Sequence, residues 1–561
     1  MKKVFLSSIL VLMSFCMTSA KPRTALQMRS AALAAIRVHT PEGPYKAAPL
    51  LSDMKVLRQE SQITVIGYEG GRYAVIANDD VFKPVLGYGD NALGDNPAPA
   101  FVWWMTAVNE SLEEMLATGN RPAEAAPPAG YKKTVPELLT TRWGQDTPYN
   151  LLCPVYNDGK NELHYITGCV ATSMAQVMNY HQYPVKGQGS KSYFFYPEGS
   201  DQRSRAFANF GNTTYDYANM LDEYTGNNYT AEQANAVATL MYHAGVSVEM
   251  GYNPGGSGAY SNDACRALRK YFLYDENIKF YSREYFPVDE WMSIIYRELN
   301  DGCPIIYGGA TRSNEGHSFV VDGYDENGLV HVNWGWTGTS NGFYDIASLR
   351  GFTEGQDMII VRRPDDNRFV SQYTSLWALG YTLAITQSLN NLLISCNGLY
   401  NMDVENFTGN IGAMAADMSS GVVTSLGVVR TVSEVEPRYG TKLTNVSVSC
   451  DNLADGTYRI YLATKSEKET SWQPVRSKED INNSYILVKN GKNITLTAGG
   501  DSNWTSSIDV EKTVSDGTVN VFNLAGQMIY SAPAATFRAA DIPATGVLIL
   551  RDANGSRKIV K

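Results

Sequence analysis

Between Arg121 and Lys133 the chain carries Pro122, Pro127 and Pro128 among several alanines. Each proline lacks an amide hydrogen and fixes φ near about −65°, so this stretch cannot run as a long helix or an inner strand. It reads as a linker and as a site open to proteolysis. It splits a chain of 561 residues into an N-terminal unit and a longer remainder, in a total that suggests roughly four domains. Hydrophobic residues at 44% and charged residues at 19% leave ample apolar side chain for several cores, which excludes disorder and collagen.

The first twenty residues read as a secretory signal peptide (residues 1–20). Lys2 and Lys3 precede an apolar run from Val4 to Met17, and Thr18-Ser19-Ala20 is a small-residue cleavage site. Phe15 before Cys16 is too bulky for lipoprotein processing. No later run of about 18 apolar residues follows, so no transmembrane segment is expected in the mature chain. Lys+Arg 47 against Asp+Glu 57 gives −10, which argues against a nucleic-acid partner. Once Cys16 has left, Cys153, Cys169, Cys265, Cys303, Cys396 and Cys450 remain, with no C-x-x-C pair, so no zinc ribbon is expected. In an exported chain Cys396 and Cys450 are candidates for a bridge, though spacing leaves the pairing open.

Residues 21–125 read as a small α+β unit. Arg72–Ala77 is strand-like, Asn78-Asp79-Asp80 is a turn, and Phe101, Met105, Val108, Leu112 and Met115 mark a helix ending before Gly119. Residues 131–364 hold most of the aromatics and every histidine except His39. Residues 365–485 contain no histidine and show short strands such as Tyr458–Leu462, which suggests a β-sandwich. Residues 486–561 add Val519–Phe522, Gln527–Tyr530 and a closing hairpin around Asn554-Gly555.

The chemistry concentrates in Thr167–His181. After Gly168, apolar residues at 170, 171, 174, 175, 177 and 178 fit a helix packed on two sides, which puts Cys169 in its first turn. A helix N-terminus favours thiolate over thiol. A buried structural cysteine fits this segment alone equally well. The base candidate is His317, held between Gly316 and the core strand Ser318–Val321. Asn333 would orient the imidazole through its amide, and Trp334 would shield that bond from water. His331, flanked by Val330 and Val332, reads as structural. Gly338–Gly342 matches G-x-S-x-G, but no helix signal and no histidine follow it, so it reads as a turn. Gly251–Gly258 lacks phosphate-loop spacing and reads as a surface loop or substrate wall; H-E-x-x-H is absent.

Together these segments resemble the streptopain family of secreted papain-like cysteine peptidases. Gly168–Thr172 is similar to its nucleophile segment, Gly316–Val320 to its histidine segment, His331–Trp336 to its third segment, and Gly144–Asn150 to the stretch that supplies an oxyanion-hole glutamine, here Gln145. The resemblance implies an α+β fold: a papain-like two-subdomain catalytic unit over 131–364, an α+β inhibitory prodomain over 21–125, and C-terminal β-sandwich domains. It implies protein and peptide substrates, the chain's own prodomain as inhibitor, a hydrophobic preference two residues before the cut, and no cofactor or metal. The Gln145 side chain and the Cys169 N–H would hold the oxyanion. The tail (486–561) is similar to type IX secretion sorting domains, which implies that machinery as a partner and a secreted or outer-surface location. Two alternatives stand beside it: a cysteine acyltransferase like the transglutaminases, and an inert surface adhesin, the latter opposed by the intact Cys169, His317 and Asn333.

Overall fold

The computed structural model describes residues 21–38, 50–120, 125–197, 201–226, 228–310, 316–346, 354–366, 375–378, 383–469, 471–478, 481–500, 518–522, 528–533, 542, 547–552 and 555–560. The expected signal peptide, residues 121–124 of the linker, the turn at Asn523–Gly526 and Asn554 lie outside them.

The N-terminal unit holds α1 (Ala25–Val38), the strands β1 (Lys55–Gln59), β2 (Ile63–Gly67), β3 (Arg72–Ala77) and β4 (Val85–Ala92), and α2 (Pro99–Thr118). Helix α2 starts on Pro99, where the missing N–H costs nothing, and stops at Gly119 in a left-handed turn (φ 74°). Its buried stripe runs through Phe101, Trp104, Met105, Val108, Leu112 and Met115.

The next unit opens with a hairpin of β5 (Val155–Asn157) and β6 (Glu162–His164), then α3 (Cys169–His181). A second hairpin, β7 (Lys191–Phe195) and β8 (Ser204–Ala208), leads into α4 (Ala231–Ser247) and α5 (Ser261–Phe272). There follow β9 (Phe280–Ser282), α6 (Val288–Asn300), β10 (Ile305–Ala310), β11 (Gly316–Tyr324), β12 (Val330–Asn333), β13 (Gly342–Tyr344) and β14 (Glu354–Ile360). Ten strands form one antiparallel sheet in the order β1-β2-β3-β4-β13-β12-β11-β10-β14-β9.

The two-residue period of its strands sorts side chains to two cores. Ile305, Tyr307, Phe319, Val321, Met358 and Ile360 pack with α2 and α6 on one face. Ile306, Val320, Ile359 and Val361 pack with α3, α4 and α5 on the other. The sheet crosses the expected domain boundary without a break. β4 pairs with β13 through Gly87↔Tyr344, Tyr88↔Phe343 and Gly89↔Gly342. A Cβ on Gly342 would collide with the Tyr88 carbonyl, so the seam closes only because no side chain stands there. The second half of the linker is fastened down as well: the Lys132 N–H donates to Asn300 Oδ1 at 3.0 Å, and Val135 bridges Tyr324.

Beyond the catalytic sheet, two facing sheets share one core that includes Leu392, Ile394, Ile411, Ile460, Leu462 and Leu487. This is a β-sandwich, and it runs past the expected limit at 485. Ser484–Asn490 pairs with Gly456–Ser466, and Asn493–Ala498 completes that edge. The tail forms a separate four-stranded sheet ending in the Val547–Asp552 and Gly555–Val560 hairpin. No bridge joins Cys396 and Cys450: both are buried free thiols.

Candidate active site

Helix α3 begins at Cys169, and Gly168 before it has φ 85°. A Cβ on Gly168 would lie 2.6 Å from Met250 Sδ and 2.9 Å from the Ser257 carbonyl, so glycine alone fits. The loop that crowds it is pinned at its base. Gly251 N–H donates to the Gly258 carbonyl at 2.9 Å, and Gly258 N–H returns to the Gly251 carbonyl at 3.2 Å. The Gly251–Gly258 run is therefore a wall beside the nucleophile.

Cys169 is half-buried, and its sulfur interacts with the His317 side chain and with the backbone N–H groups of Ser318 and Val170. Burial pushes its thiol up, but the bond and charge of His317 and the two N–H groups more than offset this and hold it below the ordinary thiol value. His317 moves the opposite way. Burial lowers it, yet its bond to Cys169, the thiolate charge and the Trp334 carbonyl bring it above the usual histidine value. Both shifts favour the thiolate–imidazolium form of the pair. Cys153 and Cys265 mark the contrast: burial alone dominates there and pushes each up to about 12. Burial likewise takes His181 and His243 down to about 4, neutral at working pH.

His317 Nε2–H donates to the Trp334 carbonyl at 2.8 Å, which leaves the other ring nitrogen for the sulfur. The hydrogen-bond network assigns that tautomer. Here the expectation for Asn333 needs correction. Its Nδ2 donates to the Thr141 carbonyl at 2.8 Å, while its Oδ1 accepts from Gly335 N–H at 3.1 Å and Gln176 Nε2 at 3.3 Å. The pleat explains it. Asn333 pairs with Val320 and so faces α3, whereas His317, three residues before Val320, points to the other face. Asn333 ties the strand end to α3, and the next residue's backbone carbonyl takes the imidazole. Trp334 itself is fully buried, its Nε1–H donating to the Ser340 carbonyl at 2.9 Å, which fixes that carbonyl in place.

Gln145 is buried, and its carbonyl accepts from Thr167 N–H at 3.1 Å, two residues before Cys169. His331 is engaged elsewhere. Its Nδ1 lies 2.5 Å from Asp322 Oδ1 and its Nε2 2.9 Å from Asp90 Oδ2 of the N-terminal unit. Burial opposes its charge, but the two carboxylates hold its pKa well above the usual value. Ser340 is buried and caps Ala98 N–H at 3.1 Å, so the G-x-S-x-G serine is structural.

The sequence did not reveal several members of the site. A carbonyl such as that of Trp334 has no side-chain signature. Ser173 on α3 and Ser318 on β11 share a 2.8 Å hydrogen bond that locks helix to sheet beside the pair. Trp103, partly buried beside the core stripe of α2, sets its ring edge-on to His317 with centroids 6.3 Å apart. A large aromatic off the helix's apolar stripe was the available signal. Among the described residues no cluster of His, Cys, Asp and Glu could hold a metal.

A cysteine at a helix start, paired with a histidine on the facing antiparallel sheet and overlaid by an N-terminal unit, defines a papain-like cysteine peptidase. The peptidase C10 family model matches residues 143–344, and the chain belongs to that family. Streptopain of Streptococcus pyogenes is 31% identical over 307 residues, covering 52% of this chain and 75% of streptopain. The thiol protease/hemagglutinin PrtT of Porphyromonas gingivalis is 26% identical over 521 residues, 85% of this chain, and the match spans 57% of PrtT. A prointerpain A fragment of Prevotella intermedia is 42% identical with a TM-score of 0.51, covering 55% of this chain and 97% of the fragment. The chain is a cysteine peptidase, a hydrolase of peptide bonds carrying a prodomain.

Proposed function

We propose that this chain is a secreted endopeptidase made as a zymogen, with Cys169 as nucleophile and His317 as general acid and base. The thiolate attacks the scissile carbonyl carbon to form a tetrahedral oxyanion. Imidazolium gives its proton to the leaving amine, and the carbon–nitrogen bond breaks to leave a thioester. Neutral imidazole then takes a proton from water, whose oxygen attacks the thioester; the carbon–sulfur bond breaks to release the acid and leave the thiolate beside the imidazolium. Proton transfer of this kind contributes about 10²–10⁴-fold. The Cys169 N–H and the Gln145 side chain are the proposed oxyanion donors, and losing one such donor costs about 2.7–4 kcal/mol. The Trp334 carbonyl orients His317, and Asn333 and Trp334 hold that carbonyl. The signal segment, the tail and the prodomain fit export through type IX-like machinery, with the prodomain as inhibitor until the Arg121–Lys133 stretch is cut.

The observation that carries this reading is the placement of Cys169 at the start of α3 beside His317 at the mouth of β11, with the His317 ring held by the Trp334 carbonyl; the opposed shifts of the two groups support it. The test is N-terminal sequencing of the secreted wild type and the Cys169→Ala variant beside a casein digest. The expected result is casein cleavage and loss of the N-terminal unit in the wild type only. Casein cleavage by Cys169→Ala would overturn the assignment.

A further inference from the structure

We infer that Asp357 is the floor of a substrate subsite beside the nucleophile and selects a cationic side chain, lysine or arginine, close to the scissile bond. The inference rests on the cysteine-peptidase reading above and names the substrate class of that same cleft. The register of the sheet carries it. Ser318, whose N–H is one of the groups that favour the Cys169 thiolate, pairs with Gly308 on β10, and Gly308 pairs in turn with Asp357 on β14. Cross-strand partners share a face. The Ser173–Ser318 hydrogen bond marks that face as the α3 side. Neighbouring strands lie about 4.8 Å apart, so Gly308 is about one strand spacing from Ser318, on the face of the sheet that meets Cys169. The Asp357 carboxyl lies over Gly308, its Oδ1 2.6 Å from where a Cβ of Gly308 would stand, with Ser261 Oγ at 3.1 Å. An extended peptide advances about 3.4 Å per residue, so a side chain one or two positions from the cut reaches it.

One oxygen of the carboxyl group there is unengaged among the described residues. Asp357 is partly exposed, yet its Oδ1 is buried and has no hydrogen-bond partner among the described residues. Burial pushes the carboxyl up to about 7, and the Ser261 hydroxyl is the neighbouring group that opposes the rise. Among the described residues, Arg438 of the sandwich, which reaches Asn262 next to Ser261, is held elsewhere. It donates to Asn262 Oδ1 at 3.0 Å and lies 5.3 Å over the Tyr260 ring. A buried acceptor without a donor is unfavourable, and an entering ammonium or guanidinium satisfies it while drawing the acid into its ionised form. The loop packed on Gly168 leads through exposed Tyr260 directly into Ser261.

The experiment matures the full chain and compares wild type, Asp357→Asn and Asp357→Ala on fluorogenic peptides that carry lysine, arginine or norleucine at each position flanking the cut. Iodoacetamide titration of Cys169 counts active sites in each preparation. The expected result is a wild-type kcat/KM preference for the basic residue of about tenfold or more at one position. Asp357→Asn and Asp357→Ala would abolish that preference, with kcat/KM on the norleucine peptide and the Cys169 titre maintained. A wild type indifferent to charge at every position, or a basic preference kept by both variants, overturns the inference alone. A wild type that cleaves no peptide while Cys169 still titrates overturns the peptidase reading and this inference with it.

Discussion

In the proposed mechanism the Cys169 sulfur and the His317 ring set the pH range of the chemistry. His317 stabilises the thiolate, so ionised sulfur persists as pH falls below the ordinary thiol range and is lost only at the lowered Cys169 value. The raised His317 value sets the other limb: above it the imidazolium that protonates the leaving amine is gone. We expect a bell-shaped kcat/KM profile between these limits. At pH 6 an ordinary thiol is only about 0.3% ionised. Wild-type Cys169 should still alkylate rapidly with iodoacetamide there, and His317→Ala should slow this by more than about tenfold. An unchanged alkylation profile in His317→Ala would separate the two groups. Asn333→Ala makes a different prediction. It removes the bonds to Thr141, Gln176 and Gly335, at a cost of about 1–3 kcal/mol. Its melting temperature should fall while its alkylation profile stays that of the wild type, because the imidazole rests on the Trp334 carbonyl. The reactive pair was legible because Gly-Cys at a helix start and Gly-His at a strand mouth are side-chain patterns. The orienting partner was not, because it is a main-chain oxygen and because pleat parity turns Asn333 away.

Helix α3 and the seam between β4 and β13 carry the element-scale consequences. Gly168→Ala places a methyl against Met250 and the Ser257 carbonyl at a backbone angle alanine disfavours. It should cost several-fold or more in kcat with the Cys169 alkylation rate reduced in step, measured on matured protein. The seam has its own tie in the buried Asp90–His331–Asp322 chain. Burial acts to raise Asp90, but His331, with Arg72 and Arg142, holds it below the usual carboxylate range, so the tie stays charged near neutrality. Breaking a buried pair costs about 3–5 kcal/mol. Asp90→Asn should therefore speed the appearance of mature enzyme and leave its specific activity unchanged, as Asp90 departs with the prodomain. Slower maturation of Asp90→Asn would remove the tie from the account of latency. Helix α2 follows from apolar spacing and a closing glycine, and α3 from apolar spacing after an opening glycine. The seam does not, because pairing between Gly89 and Gly342 is set by tertiary packing over a long stretch of intervening chain.

At the scale of the whole molecule, the sandwich is bolted to the peptidase. Arg269 on α5 meets Asp403 at 3.0 Å and Glu405 at 2.8 Å. Arg476 reaches the Tyr285 carbonyl at 2.9 Å and pairs with Glu290, while Trp377 sets its edge on Tyr285 with centroids 4.6 Å apart. Calorimetry should show these two units melting together in the wild type and as separate transitions in Arg476→Ala, which leaves Glu290 without this partner. The broad division of the chain was readable from its prolines, its histidine distribution and its strand-rich end. The limit at 485 was misplaced because Ser484–Asn490 looks like every other strand until its partner is known.

The shared ten-strand sheet has a consequence for life after activation. Once the N-terminal strands leave, β13 becomes an outer rail whose main-chain donors and acceptors on that side face water. It is short, only Gly342–Tyr344, which keeps the freshly bared rim small, and it has already accommodated an extended segment. Activation therefore does more than uncover a sulfur: it leaves on the released enzyme a ready template for backbone zippering, which a displaced propeptide or a second chain can reoccupy.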